Sequence, residues 1–386
     1  LPSLTSLVQT SRIILMFNSN LFENRPTRAE IYLSNLENNI SVIKNIVGSR
    51  KILGIVKANA YGHGLVEISQ KLEELKLDYL GVAYIEEALW LRKKGIKIPI
   101  LVLGAIDNDQ ISLFLQNDID ITGSSIEKLE NISIAAQKLN VKARVHLKID
   151  TGMGRIGVQW DRKEQFLKKA FSLPNIEIVG IFSHFADSYD NPSFTNLQLE
   201  RFNTVLEYVK KYFSLPPLIH LANSGAISRG LEESFFTMVR PGIMMYGYSL
   251  NKDFQKILKP AMQFKTKVLY FKVLQKGSPV GYANTYITKS QERIITLPVG
   301  YADGYPRSLS NRGIILLNGK KYPVIGRICM DQCMASLGID GEGYVGDEVE
   351  LWGDRISLHD VSKRSERSMW DLLSNVTERV PRKYIK

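Results

Sequence analysis

Several polar or cationic side chains fall where the chain leaves a short aliphatic run. Lys57 follows the run at 52–56, His184 the run at 176–182, Asn223 and Ser224 the run at 218–221, and Arg240 the run at 238–239. Arg155 lies in the loop after 141–149. A lysine directly after a buried strand is uncommon, because an ammonium is costly to desolvate. Desolvation lowers the amine's pKa, and a neutral lysine is a nucleophile able to form a Schiff base. The alternative is a lysine that snorkels out of a strand end. Ser224–Gly225–Ala226 can open a helix whose free N–H groups attract an anion, or Ser224 can be a plain N-cap. The guanidinium of Arg155 suits a planar anion. Arg240 can otherwise serve a salt bridge, and His184 can be a structural histidine at a strand end.

The elements that must position these groups alternate. Strand-like runs at 52–56, 79–83, 98–103, 119–122, 141–149, 176–182, 218–221 and 238–239 are separated by amphipathic stretches. Ser34–Asn35–Leu36–Glu37 reads as a capping box, followed by Leu36, Ile40, Ile43 and Val47 on one face. Leu65, Ile68, Leu72 and Leu75 form a second face, and Ser124 with Glu127 caps a third helix. Phe202, Leu206, Val209 and Phe213 mark a further helix. Eight strands alternating with helices fit an α/β fold, a (β/α)8 TIM-like barrel rather than an open doubly wound sheet. The polar residues then collect at the strand C-terminal ends, where barrels assemble their sites.

After about 260 the pattern changes to β. A long strand is expected at 265–275, a hairpin at 314–317 and 322–325 around Asn318–Gly319, and a strand at 348–352. The expected organisation is an N-terminal extension at 1–26, a strand at 27–33 joining the β domain, the barrel at 34–260 and a mostly β C-terminal domain at 261–386. The 386 residues exceed what one core usually holds, and the 44% hydrophobic and 23% charged content is that of a globular protein. The net charge of +11 comes from dispersed lysines without interleaved aromatics, so no nucleic-acid partner is expected. Cys329 and Cys333 exclude a disulfide framework and lack further ligands at zinc spacing. They read as reduced thiols of a cytoplasmic protein. The apolar run after Arg12 is too short for a signal peptide, no run reaches the ~18 residues of a membrane span, and no metal is expected.

The local sequence around Lys57 sharpens this. Val56–Lys57–Ala58–Asn59–Ala60–Tyr61–Gly62–His63–Gly64 resembles the cofactor-lysine signature of alanine racemases, enzymes that depend on pyridoxal 5'-phosphate. The stretch from His146 to Arg155, Ala222–Asn223–Ser224, Val239 to Ile243, Gly300 to Tyr305 and Gly326 to Gln332 resemble further blocks of that family, in order and at matching spacing. The resemblance implies reversible conversion of L-alanine to D-alanine, supplied to cell-wall peptidoglycan, by a homodimer with shared active sites. It makes Lys57 the Schiff-base lysine and the base on one face of the substrate. Tyr286 matches the tyrosine that serves the opposite face from the partner subunit. A phenol is a poor base near its usual pKa of about 10, so a cation is expected beside Tyr286.

The same resemblance makes Tyr61, Ser224, Gly242 and Ile243 phosphate-binding positions, with Asn223 beside them. Arg240 faces the ring nitrogen of the cofactor and His184 supports it. Because Arg can only donate, that nitrogen is expected to stay unprotonated. This restrains the electron sink and suppresses transamination. The absence of a carboxylate at this place argues against the related decarboxylases. Arg155 matches the residue near the substrate carboxylate, and Lys148 a lysine that is often carbamylated. Met330 and Asp331 look like residues lent by the partner subunit to the substrate pocket, and Tyr305 like the tyrosine at its entrance. One departure stands out. Glu378 precedes Arg379–Val380–Pro381–Arg382 where many relatives have a tyrosine, which bears on pocket size and charge. The rival readings are a broader amino-acid racemase and a barrel protein that holds pyridoxal phosphate without turnover.

Overall fold

The computed structural model describes residues 23–386. The expected extension at 1–26 lies, up to residue 22, outside the described residues. The chain divides into two compact units: Ser34–Lys259, and Pro260–Lys386 with the segment that ends at Leu33.

Strand β1 (Arg28–Tyr32) belongs to the second unit. The first unit holds β2 (Lys51–Ile55), β3 (Tyr79–Val82), β4 (Ile100–Val102), β5 (Ile121–Gly123), β6 (Ala143–Asp150), the two-residue β7 (Val158–Gln159), β8 (Ile176–Phe182), β9 (Leu218–Asn223) and β10 (Met238–Arg240). Apart from β7, which pairs with β6, they form a parallel sheet in the order β4–β3–β2–β10–β9–β8–β6–β5. A parallel bridge between Leu101 and Asp120, with Asp120 N donating to Ile100 O at 2.9 Å, joins β4 to the residue before β5 and closes the ring. This is the expected (β/α)8 barrel. Its strands are aliphatic on both faces because helices cover the outside and side chains fill the inside.

The helices bury the faces that periodicity marks, as Leu36, Ile40, Ile43 and Val47 do on Leu33–Val47. Two caps differ from expectation. The first helix begins at Leu33, directly after β1, so Ser34 lies inside its first turn rather than at a cap. On Ile126–Lys138 the cap is Ser125, whose Oγ accepts from Lys128 N at 3.1 Å, and not Ser124. Adjacent serines are equivalent in sequence, and only the backbone turn separates them.

The second unit holds β11 (Met262–Lys267), β12 (Tyr270–Leu274), β13 (Pro279–Val280), β14 (Tyr286–Ile287), β15 (Glu292–Leu297), β16 (Ile314–Leu317), β17 (Lys320–Ile325), β18 (Cys333–Ser336), β19 (Glu348–Trp352) and β20 (Arg382–Ile385). Its main sheet runs β12–β15–β18–β17–β16–β19–β11–β1–β20, and β13 pairs with β14. The long strand expected at 265–275 is two strands broken at 268–269, and they stand far apart in the sheet order. The β16–β17 hairpin turns at Asn318 (φ 48°) and Gly319 (φ 79°), the two left-handed residues that a type I′ turn requires. No helix among the described residues is long and apolar enough to cross a membrane.

Candidate active site

The chain after Lys57 adopts an unusual backbone. Ala58, Asn59, Ala60 and Tyr61 have φ of 54°, 54°, 52° and 52°, and Gly62 follows at 78°. Four consecutive non-glycine residues in the left-handed region cost about 1–2 kcal/mol each. Surrounding bonds hold the turn. Ala58 N donates to Glu87 Oε1 at 2.6 Å, and the other oxygen of Glu87 accepts from Ala83 N at 2.8 Å. Asn59 Oδ1 accepts from Leu65 N at 2.7 Å, and Gly64 N donates to Asn59 O at 3.0 Å. The turn delivers the Tyr61 ring against Tyr246, with centroids 5.0 Å apart, and Tyr246 Oη donates to Ile55 O at the end of β2. Burial pushes the Tyr61 phenol well above its usual pKa, so it is a donor at neutral pH. Burial, then the charge of Arg155, lowers the Lys57 pKa, and Glu87 only partly opposes them. The amine is thereby biased toward its neutral, nucleophilic form.

The phosphate-type donors converge at the ends of β9 and β10. A Cβ added to Gly242 would lie 2.7 Å from Tyr61 Oη, so only glycine leaves that hydroxyl its place. Gly242 N donates to Ser224 Oγ at 2.9 Å, and Ile243 beside it is buried. Asn223, and not Ser224, caps the short helix Ser224–Ser228, with its Oδ1 accepting from Ala226 N at 3.2 Å. The hydroxyl of Ser224 therefore ties the β9 and β10 ends together and keeps its proton available to a ligand.

Arg240 is 3% exposed. Its Nη1 donates to His220 Nδ1 at 2.9 Å, and the two hydrogens of its Nη2 are shared among Ser183 O (2.7 Å), Leu221 O (3.0 Å) and His184 Nδ1 (3.1 Å). Burial lowers its pKa to about 9, which leaves a cation at neutral pH. Burial and then Arg240 hold the His184 pKa well down, so it is a neutral acceptor. Lys148 is 4% exposed, with Nζ 4.4 Å from the centre of the Phe182 ring. Burial, then Arg240 and Arg155, depress its pKa strongly. Arg155 is exposed, in a loop shaped by Asp150 Oδ1, which accepts from Gly152 N and Met153 N at 2.9 Å each.

Lys57, Lys148, Arg155 and Arg240 thus gather at one barrel mouth, and none of them takes part in an ion pair among the described residues. Unpaired buried cations are costly unless an anion joins them. A nucleophilic amine, phenol, hydroxyl and backbone donors around Gly242, and a donor-only guanidinium fit the aldehyde, phosphate and pyridine nitrogen of pyridoxal phosphate. Sequence reasoning missed Glu87, His220, His146 and Asp120. The signal available was a histidine inside an aliphatic strand, as in Val145–His146–Leu147 and Ile219–His220–Leu221.

Tyr286, Tyr305, Met330 and Asp331 stand on the second unit. The cation expected beside Tyr286 is replaced by a carboxylate. Tyr286 Oη donates to Glu292 Oε2 at 2.8 Å, and burial and Glu292 raise the phenol pKa. The ring packs on Val280, Ile294 and Ile325. Tyr305, expected at a pocket entrance, is 1% exposed and stacks on Trp352 inside the core. Each of the two has an exposed tyrosine four positions upstream: Tyr282 at 70% and Tyr301 at 42%. Tyr282 opens a turn in which Ala283 and Asn284 have φ of 58° and 49°. Met330 is 52% exposed, and Asp331 Oδ1 accepts from Arg379 Nη2 at 2.7 Å. Glu378 is exposed.

Comparison with known proteins gives a consistent picture. The family model "Alanine racemase, N-terminal domain" matches residues 31–250, and "Alanine racemase, C-terminal domain" matches 261–384. Alanine racemase 2 of Caldanaerobacter subterraneus subsp. tengcongensis is 42% identical over 94% of this chain and 96% of its own. The structure of alanine racemase from Clostridium difficile 630 superposes with a TM-score of 0.88 at 36% identity, covering 93% and 96% of the two chains. That of alanine racemase from Bartonella henselae, with covalently bound pyridoxal phosphate, gives 0.86 at 30% identity over 93% and 99%.

Proposed function

This chain belongs to the alanine racemase family, and we propose that its barrel mouth works with two bases facing opposite sides of the substrate Cα. It is a pyridoxal-phosphate-dependent isomerase that racemises alanine, a small-molecule substrate. When bound, pyridoxal phosphate supplies the electron-withdrawing ring that makes the α-proton of alanine acidic. Every other task falls to the protein's own groups. Lys57 carries the cofactor and, as a desolvated amine, takes or returns the proton on one face. Tyr61, Ser224 and the backbone at Gly242 and Ile243 hold the phosphate, with Asn223 fixing the turn beneath it. Arg240, held by His184, donates to the ring nitrogen. Arg155 receives the carboxylate. Carbamylation of Lys148 would place an anion between Arg155 and Arg240 and remove the charge conflict there.

A proton that leaves one face and returns on the other needs a second group. The sequence motifs point to Tyr286, but its hydroxyl is committed to Glu292 and its pKa is raised. Tyr282 is the exposed phenol on the same segment, and we assign it that role, reaching the barrel mouth of a partner subunit in a homodimer. Tyr301 takes the entrance role first read for Tyr305, with Met330 and Asp331, on the segment whose carbonyls accept from Tyr301 N and Ala302 N, as further loans to the partner's pocket. A cytoplasmic setting and D-alanine supply to peptidoglycan complete the reading, and two thiols without a disulfide suit the former.

The observation that carries this reading is the desolvated Lys57 amine among cations that lack counter-ions. Incubation of the purified protein with L-alanine and pyridoxal phosphate is expected to abolish optical rotation. Borohydride reduction and peptide mapping are expected to find the pyridoxyl label on Lys57. A label elsewhere would overturn the assignment.

A further inference from the structure

The inside of the barrel carries polar groups that the proposed chemistry does not touch. His146 and His220 are 0% exposed and Asp120 is 2% exposed. They form one line with Arg240. Arg240 Nη1 lies 2.9 Å from His220 Nδ1, His220 Nε2 lies 2.9 Å from His146 Nδ1, and His146 Nε2 lies 3.2 Å from Asp120 Oδ2. The direction of every bond follows from the first. A guanidinium has no acceptor, so His220 Nδ1 must accept and its proton must sit on Nε2. His146 Nδ1 must then accept that proton's bond, and its own N–H at Nε2 must point to the carboxylate. All four groups are satisfied in one sense only, with donors pointing from Arg240 toward Asp120.

The line is built rather than incidental. A Cβ on Gly180 of β8 would lie 2.2 Å from His146 Nδ1, so the glycine makes the room for that ring. The Phe182 ring stacks on His220 with centroids 4.7 Å apart and planes 3° from parallel. Asp120 is anchored at the far end. Arg144 Nε donates to Asp120 Oδ1 at 2.8 Å, and Tyr79 Oη donates to Oδ2 at 3.1 Å. Asp120 precedes β5 and Tyr79 begins β3, whereas Arg240 ends β10, so the line runs from the strand starts to the strand ends. At the Arg240 end, the two Nη2 hydrogens are shared among Ser183 O, Leu221 O and His184 Nδ1, and Nε–H lies outside every hydrogen bond formed among the described residues.

We propose that Asp120, acting through His146 and His220, is a positioning residue for Arg240. It fixes the guanidinium plane so that Nε–H, which no hydrogen bond among the described residues uses, faces the ring nitrogen of the cofactor. The proposal rests on the assignment of Arg240 to that nitrogen. An arginine loose in this place would leave the nitrogen free to gain a proton from another source, and that strengthens the electron sink. The barrel interior therefore acts on which reaction follows proton removal, racemisation or transamination.

The test uses the holoenzyme with two readouts: the dissociation constant for pyridoxal phosphate, and pyruvate released per racemisation event. His146→Leu removes both imidazole nitrogens at similar volume. It is expected to weaken cofactor binding about tenfold and to raise the pyruvate fraction about tenfold, the effect of one lost directed hydrogen bond. His146→Gln keeps an acceptor and a donor in the same sense and is expected to restore both readouts to within about threefold of wild type. If His146→Leu fails to fold, Asp120→Asn replaces it; it keeps the acceptor, loses the charge and is expected to raise the pyruvate fraction a few-fold. A wild-type pyruvate fraction in His146→Leu, or in Asp120→Asn where that variant stands in, overturns the proposal. So does equal damage in His146→Leu and His146→Gln, which marks a packing role alone. Arg240→Leu separates the two levels. If it leaves both readouts unchanged, the Arg240 assignment fails; if it shifts them while the His146 variants stay silent, only the positioning role fails.

Discussion

The barrel mouth and the second unit solve opposite problems. At the mouth, Arg240 is 3% exposed and fixed by its hydrogen bonds, and Lys148 is 4% exposed against the Phe182 ring. On the second unit, the half-buried Tyr286 and the buried Tyr305 are the tyrosines already satisfied. Tyr286 is bonded to Glu292 and Tyr305 is stacked in the core, while Tyr282 and Tyr301 stand in solvent. A site built within one unit needs desolvated groups, because desolvation tunes the amine and strengthens every charge interaction. A group that completes a site on another chain must stay exposed on its own, and its burial comes only on assembly. On the proposed two-chain site, exposure thus has opposite meanings in the two regions.

Three measurements sharpen or break this contrast. The largest effect is expected at the tyrosines. Tyr282→Phe should lower racemisation by about 10²–10³-fold, the usual worth of a positioned acid–base group. Tyr286→Phe should cost less than about tenfold in rate and about 1 kcal/mol in stability for the lost bond to Glu292. Steady-state polarimetry and urea denaturation of the two variants decide it; the reverse order would end the distinction. Next, Ser224→Ala should weaken pyridoxal phosphate binding about tenfold, because it removes a donor to the ligand and the acceptor of Gly242 N. Fluorescence titration measures this.

The smallest effect concerns Lys148 in the apoprotein. Its folded-state pKa lies well below the unfolded value, so the unfolded chain binds the extra proton. Stability therefore rises as pH increases from the depressed value toward about 10.4, the unfolded pKa, and is lost as pH falls through that window. Lys148→Met should remove that slope and stabilise the apoprotein near neutral pH by about 1–3 kcal/mol. Denaturation midpoints across pH 6–9 on the apoprotein provide the check; an unchanged slope means the amine is neutralised by other means.

The barrel itself was legible because eight aliphatic runs separated by amphipathic stretches leave few topologies. The strand ends then pointed to Lys57, Asn223, Ser224 and Arg240, since a polar residue there has only the mouth to face. His146, His220 and Asp120 were not legible. Position inside a strand says that a residue is buried, and only coordinates show that three buried polar groups meet. The tyrosines misled for a related reason. Tyr282 and Tyr286 differ by one short turn, and Tyr301 and Tyr305 by another, so a motif places both members of each pair at the same locus. Which member is packed depends on the neighbours, here Val280, Ile294 and Ile325 for Tyr286. The 265–275 segment was overextended because Val268 and Leu269 are apolar and give no sign of the break.

The left-handed turn from Ala58 to Tyr61 bears on how the empty protein breathes. Its conformational strain lowers the free energy of opening that loop relative to the strands on either side, so Ala60 and Gly62 amides should exchange with solvent deuterium sooner than those of β2. A ligand that grips Lys57 and Tyr61 at the two ends of the turn binds only the closed form, and so it slows that exchange in proportion to its affinity. Cofactor loading then becomes a lock on the loop, and proteolytic nicking there would report how much of the enzyme in a preparation is still unloaded.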